Sequence, residues 1–270
     1  MDKIQEKVIT EMYTKRRAMV HIQKATGLPK KKIESWLKEK GLWTGHRFLY
    51  SYFDEFFFDN INTEEKAYWL GFIYADGYIG KNNEVGIELK SIDYSHLVKF
   101  KKAIQAEKEV KIYKKQSTFG PQENCRFTIG SKHMSSILLN YFGSINKTLK
   151  GTFPKIDKSL EHHLVRGFFD GDGCLTGFKD DEHLFRPQLN FIGTKETLQY
   201  LEEISNFSWN WSKRIKTDIN NYQINCGRVN DCLNFLSYMY KDAHIYLDRK
   251  YEKYQILLEN RERLKAKARV

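Results

Sequence analysis

The stretch "AYWLGFIYADGYIG", residues 67–80, recurs in outline as "HLVRGFFDGDGCLTG", residues 163–177, and this repeat narrows the possible folds more than any other feature. Leu70-Gly71-Phe72-Ile73 aligns with Arg166-Gly167-Phe168-Phe169, and Ala75-Asp76-Gly77 with Gly171-Asp172-Gly173, so Asp76 and Asp172 lie 96 residues apart. The offset persists downstream, where "RFTIGSKHMSSILLNYFG" from Arg126 has the pattern of "QINCGRVNDCLNFLSYMY" from Gln223, with Gly130 and Gly227 97 residues apart. Two copies of a unit of about a hundred residues are two domain-sized halves. Between the motif and its downstream match each copy reads as strands followed by a helix. "VGIELKSID" and "QLNFIG" have strand character, and "SHLVKFKKAIQ" and "KETLQYLEEIS" have helical spacing.

Gly71 and Ala75, like Gly167 and Gly171, are four residues apart, so each pair makes a smooth strip along one side of a helix. Two such strips permit close packing, which brings the C-terminal ends of both helices, and with them Asp76 and Asp172, together. Gly77 and Gly173 are expected to end the helices in the left-handed conformation. Carboxylates side by side at the negative ends of two helices repel. A divalent cation relieves that repulsion, and Mg²⁺ in particular takes a few carboxylate or carbonyl oxygens while leaving room for phosphate. The alternative for either copy alone is a plain Gly-Asp-Gly turn. Tyr74 stands where the second copy has Asp170, two residues before the shared aspartate, and the helical period points this position elsewhere, so it reads as structural.

The charge balance suits a polyanionic partner: 45 Lys and Arg against 34 Asp and Glu leave a net charge of +11 over 270 residues. A solubilising basic surface accounts for the same balance, so charge alone leaves both open. Cys125, Cys174, Cys226 and Cys232 lack zinc-ligand spacing, which argues against a structural zinc site and for a reduced compartment. The charged start "MDKIQEKVIT" and the absence of a bilayer-length apolar run suggest an intracellular, soluble protein without a membrane partner, in the cytoplasm or nucleoid of a microbial or phage-infected cell, or in an organelle.

Residues 69–77 and 165–173 together resemble the LAGLIDADG homing endonucleases, in the form that carries both motifs on one chain. The resemblance implies an α+β fold: two pseudo-symmetric αββαββα halves whose antiparallel saddle sheets lie on DNA, packed through the two motif helices. Its halves would span residues 46–158 and 159–270. It implies Asp76 and Asp172 as catalytic residues that bind Mg²⁺, with Mn²⁺ as a substitute and the carbonyls of Ala75 and Gly171 as further ligands. "INKTLKGTFP" and "IYLDRKYEKY" look like the family's segments that place a basic residue near the scissile phosphates, which suggests Lys147 and Lys250, although lysines mostly cover solvated faces. The implied activity is Mg²⁺-dependent cleavage of both strands at a long, nearly non-palindromic site, leaving short 3′ overhangs, by a monomer needing no protein partner. An intron RNA maturase and a DNA-binding transcription regulator on the same fold remain as alternatives.

Base-reading side chains are expected on the strands, where alternate residues face the groove. The candidates are Asn83, Glu88, Lys90, Arg126 and Thr128 in the first half, with Arg186, Gln188, Asn190, Gln223, Asn225 and Arg228 in the second. A one-residue slip of register would turn every one of them to the other face. Residues 1–45 carry 11 Lys and Arg against 5 Asp and Glu, outside the two halves. There Ala18, Ile22 and Ala25 at helical spacing, a turn at Thr26-Gly27-Leu28-Pro29, then Ile33, Trp36 and Leu37 resemble a helix-turn-helix with Lys30, Lys31 and Lys32 early on its second helix. A basic helical hairpin that only packs on the core is the competing reading.

Overall fold

The computed structural model describes residues 1–45, 51–118, 120–144, 151–179, 185–213 and 220–267. They form two compact units, one of Met1–Asp54 with Lys101–Glu109, the other of Glu55–Phe100 with Val110–Val270.

In the first unit, helices α1 (Lys3–Thr14), α2 (Met19–Thr26) and α3 (Lys30–Glu39) close around Ile9, Tyr13, Met19, Ile22, Ile33 and Leu37. Asp2 starts α1 with a capping box: its carboxylate accepts from the Gln5 amide at 2.7 Å while the Gln5 side chain accepts from the Asp2 amide at 3.2 Å. Gly27 ends α2 at φ 68°, the left-handed turn its position suggested. Ala18 and Ile22 are buried as their spacing requires, but Ala25 is exposed and Thr26 takes the inward place. Burying Thr26 leaves no unpaired hydroxyl, because Oγ1 donates to the Ile22 carbonyl at 2.7 Å.

The second unit runs through the same series of elements twice. Its first half comprises α4 (Glu64–Asp76), β1 (Gly77–Ile79), β2 (Glu84–Lys90), α5 (Tyr94–Ala103, whose residues from Lys101 on are counted with the first unit), β3 (Lys111–Ser117), β4 (Gly120–Gly130) and α6 (Lys132–Phe142). Its second comprises α7 (Glu161–Asp172), β5 (Cys174–Lys179), β6 (Phe185–Gly193), α8 (Lys195–Ser205), β7 (Asn210–Lys213), β8 (Tyr222–Cys226) and α9 (Val229–Tyr240), followed by α10 (Asp248–Lys267). The architecture is thus αββαββα twice over, with two four-stranded antiparallel sheets in the orders β1-β2-β4-β3 and β5-β6-β8-β7. Each sheet turns one face inward: Val85, Ile87, Cys125, Phe127 and Ile129 in the first, Leu175, Leu189, Phe191, Ile224 and Cys226 in the second. The alternation follows from the two-residue period of the strand.

Helices α4 and α7 are the centre of this unit. Thr63 caps α4, accepting from the Lys66 amide at 3.3 Å, and every residue from Ala67 to Tyr74 is buried. The two helices cross backbone to backbone. A Cβ built on Gly71 would overlap the Leu164 carbonyl and lie 2.9 Å from the Phe168 nitrogen; one built on Gly167 would overlap the Tyr68 carbonyl and lie 2.8 Å from the Phe72 nitrogen. Farther along, Gly171 faces the methyl of Ala75, so all four positions of the predicted strip lie in the seam.

The terminal glycines act for a different reason from the one expected. Gly77 (φ −79°, ψ 165°) and Gly173 (φ −70°, ψ 152°) are extended, so neither is a left-handed cap. Each chain leaves its helix directly into a strand, folding back so tightly that a Cβ at Gly77 would stand 2.7 Å from the Ile73 carbonyl oxygen, and one at Gly173 2.7 Å from that of Phe169. Close approach, and not a positive φ, requires the missing side chain.

Arg166, which beside Gly167 looks like a flanking residue, is wholly buried. Its guanidinium donates to the carbonyls of Ile245 (2.9 Å) and Met239 (2.7 Å), to His163 Nδ1 (2.9 Å) and to the Glu64 carboxylate (2.7 Å). Glu64 opens α4, so this ion pair fastens the N-terminal end of one motif helix to the other half, and four of the five guanidinium N–H donors are engaged around the buried charge.

Replacing Gly71 or Gly167 by Ala is expected to lower unfolding free energy by about 3 kcal/mol or more, because backbone cannot move aside as a flexible side chain can. Gly227→Ala, where an added Cβ meets nothing within 4 Å, is the control and should be close to neutral. Urea denaturation of the three variants checks both.

Candidate active site and nucleic-acid interface

The seam delivers Asp76 and Asp172, the last residues of α4 and α7, to one place. Asp76 is half-buried and Asp172 exposed, and a Cβ on Gly171 would stand 3.5 Å from Asp76 Cγ. The two carboxylates thus stand at the C-terminal, negative ends of two helices that touch at Gly171 and Ala75. These are hard oxygen donors, suited to Mg²⁺ or Mn²⁺ and not to a thiophilic metal. Among the described residues no group of three or more His, Cys, Asp or Glu side chains could hold a metal, so an ion here would have to complete its shell with carbonyls, water or a ligand's own oxygens.

Lys250, at the start of α10, reaches the same region from below. It is buried, and Nζ donates to the carbonyl oxygens of Phe169 (2.5 Å), Asp170 (2.9 Å) and Gly173 (2.5 Å). An ammonium thus satisfies the C-terminal carbonyls of α7 and offsets the negative end of its dipole. Burial pushes the Lys250 pKa down to about 8 against the opposing pull of Asp170 and, more weakly, Asp76. Lys147 lies outside the described residues.

Asp170 belongs to the interior. Its carboxylate accepts from Tyr68 Oη (2.7 Å), Tyr240 Oη (2.9 Å) and the Leu247 amide (2.7 Å). Burial raises its pKa while Lys250 and these donors pull the other way. Because Tyr68 gives its proton to Asp170, the bond of 2.9 Å between Tyr68 Oη and His96 Nε2 assigns the imidazole proton to Nε2. At the matching position of α4, Tyr74 Oη bonds Thr197 Oγ1 at 2.9 Å.

On the outward faces the strand register collects most of the predicted base-reading residues. In the first sheet Glu88 pairs with Arg126, Lys90 with Asn124 and Gly86 with Thr128, all opposite the core-facing row. In the second, Gln188 faces Thr176, and Asn190 stands in register with Asn225. Arg186 and Gln223 share that face. Two candidates sit elsewhere. Asn83 is in the β1–β2 turn at φ 57°, where its side chain accepts from Ser135 Oγ at 3.3 Å, and Arg228 lies past the end of β8 as the exposed N-cap of α9. Lys111, Tyr113 and Lys115 of β3 and Asn210 of β7 complete the faces through their pairing with β4 and β8. Their strands are short or polar on both sides, so only the register reveals them. Lys30, Lys31 and Lys32 are exposed in the first turn of α3.

No protein-family model and no curated protein matches this chain. Solved structures do resemble it in fold. The LAGLIDADG homing endonuclease I-GzeII, in complex with its DNA target, superposes over 76% of this chain and 92% of its own with a TM-score of 0.50 at 11% identity. I-LtrWI, a LAGLIDADG homing endonuclease bound to target DNA, covers 74% and 91% with a TM-score of 0.49 at 12% identity. Full-length WhiA from Thermatoga maritima matches over 77% of this chain at 18% identity and a TM-score of 0.46, and this chain spans 65% of that protein. At 11% identity the likeness to I-GzeII is one of fold alone. Among the described residues no helix is long and apolar enough to cross a membrane.

Two buried histidines beside the motif helices predict a pH dependence of stability. Burial, with nearby Lys99, Arg249 and Lys250, pushes His96 down to about 3; burial, with Arg166 and His162, pushes His163 down to about 4. Both lie below the unfolded value of about 6.5, so as pH falls from there the unfolded chain takes up protons that the folded chain refuses. Stability present above pH ~6.5 is therefore lost on acidification. Urea unfolding should show a smaller loss between pH 7 and pH 5 in His163→Gln than in the native chain, by on the order of 1 kcal/mol. An identical loss in both would remove His163 from this account.

Proposed function

We propose that the chain is a site-specific double-strand DNA endonuclease that hydrolyses one phosphodiester in each strand with a divalent metal and leaves short 3′ overhangs. The observation that carries this reading is the meeting of Asp76 and Asp172 at the ends of two helices locked by a backbone-to-backbone crossing. Such an arrangement puts two carboxylates at the C-terminal ends of two helices, where a divalent cation would be attracted by both.

In this reading the carboxylates of Asp76 and Asp172 and the carbonyls of Ala75 and Gly171 hold Mg²⁺, or Mn²⁺ in its place. The bound metal would supply Lewis-acid stabilisation of charge on the scissile phosphate and a more acidic attacking water. Lys250, held by three carbonyls, positions the C-terminal end of α7 and adds positive potential beside Asp76. Lys147 is assigned a comparable role in the first half. The two sheets would read a long, nearly non-palindromic DNA target, since their outward faces carry different side chains. One chain supplies both halves, so a monomer suffices. The helices α1–α3 would add a helix-turn-helix whose Lys30, Lys31 and Lys32 meet DNA.

The test is cleavage of a randomised duplex library with Mg²⁺, with and without chelator. Metal-dependent cutting of both strands at one long site is expected, with a drop of roughly 100-fold or more, or conversion to nicking, in Asp76→Asn and Asp172→Asn. Specific binding without any cutting would sink the endonuclease and favour a regulator; preference for structured RNA over duplex DNA would favour a maturase. Separately, replacing Lys30, Lys31 and Lys32 by Gln should weaken binding to all sequences alike and flatten its salt dependence by about one unit of slope for each phosphate no longer neutralised.

A further inference from the structure

Among the described residues the two outward faces differ in chemistry. On the second sheet Asn210 pairs with Asn225 and Asn225 with Asn190, so three asparagines stand abreast across β7, β8 and β6. Neighbours in such a row are about 5 Å apart at Cβ. Gln223 and Gln188 flank the row on the same face. None of these five amide side chains makes a hydrogen bond to another described residue, and all five are at least partly exposed. Arg186 is the one ionised residue whose side chain is described on that face.

The first sheet is richer in ionised side chains, with the amides of Gln122 and Asn124 among them on its outward face. Glu88, Lys90, Lys111, Lys115 and Arg126 share its outward face. They are mutually organised: the Glu88 carboxylate accepts from Asn124 Nδ2 at 3.1 Å and from Lys115 Nζ at 3.3 Å, and the Arg126 guanidinium sits 5.2 Å from the centroid of Tyr113. Hydrogen bonds from Tyr113, Asn124 and Lys115 hold Glu88 below the usual carboxylate range, so it stays an acceptor.

Base edges in the major groove sort these two sets. Asn and Gln can bond adenine through N6 and N7 together; Arg and Lys bond guanine through O6 and N7, while Glu accepts from the N4 amino group of cytosine. We infer that the DNA target is uneven in composition, with an A·T-rich half-site against the amide row of the second sheet and a G·C-containing half-site against the ionised face of the first. This rests on the DNA-reading function proposed above and specifies its substrate. The uncommitted amides are pre-arranged acceptor–donor pairs, three in register, and a duplex half-site with successive A·T pairs offers the complementary row. Lysines of the first face also reach phosphate, which adds affinity without sequence preference.

The experiment is sequencing of duplexes retained from a randomised library by the native chain in chelator, so that binding is read without cleavage. Two half-sites of unequal composition are expected. In Asn190→Ala and Asn225→Ala, preference at A·T positions should relax by roughly tenfold per position in one half-site and leave the other unchanged. Glu88→Gln and Arg126→Ala should relax G·C positions in the opposite half-site only. Thermal unfolding of each variant verifies that it is folded. Half-sites of equal composition, or loss of G·C preference in the asparagine variants, overturn the inference while leaving specific DNA binding intact. Retention of no preferred sequence overturns the inference together with the DNA-reading function beneath it.

Discussion

Everything in the larger unit hangs on two glycines. With Gly71 against the Leu164 carbonyl and Gly167 against that of Tyr68, α4 and α7 touch through main chain instead of side chains. Side chains in a seam have alternative rotamers; peptide planes do not, so the crossing has one geometry. From it follow the burial of both helices, the placement of a sheet on each side, and the meeting of Asp76 and Asp172. The Arg166–Glu64 pair and the Asp170 carboxylate, held by Tyr68, Tyr240 and Leu247, fasten the helices at other points along their length.

Much of this was legible in the sequence, because the repeat carries geometric information. Small residues four apart mark one helix face whatever surrounds them, and the same pattern twice on one chain names its own partner. The strands at 84–90 and 185–193 and the helices after them were readable from period alone, since each has one face in the core. The two αββαββα halves came from the family resemblance, and the second unit bears them out.

What could not be read depended on facts that no local pattern encodes. A glycine after a helix has two physical reasons to exist, positive φ or a close neighbour, and Gly77 and Gly173 have the second. Asn83 and Arg228 fall just beyond strand ends, where an error of a few residues moves a side chain from a sheet face into a turn or a helix cap. Lys250 was singled out by the resemblance, but nothing in the sequence told of the three carbonyls it donates to. Thr26 in the place expected for Ala25 is a similar case, decided by a hydroxyl that finds a carbonyl within its own helix.

A seam made of main chain also sets a standard of length. The ends of α4 and α7 have little freedom to spread or close, since any change in their separation would have to move peptide groups already in contact. Whatever engages both aspartates must accept the spacing that the helices dictate.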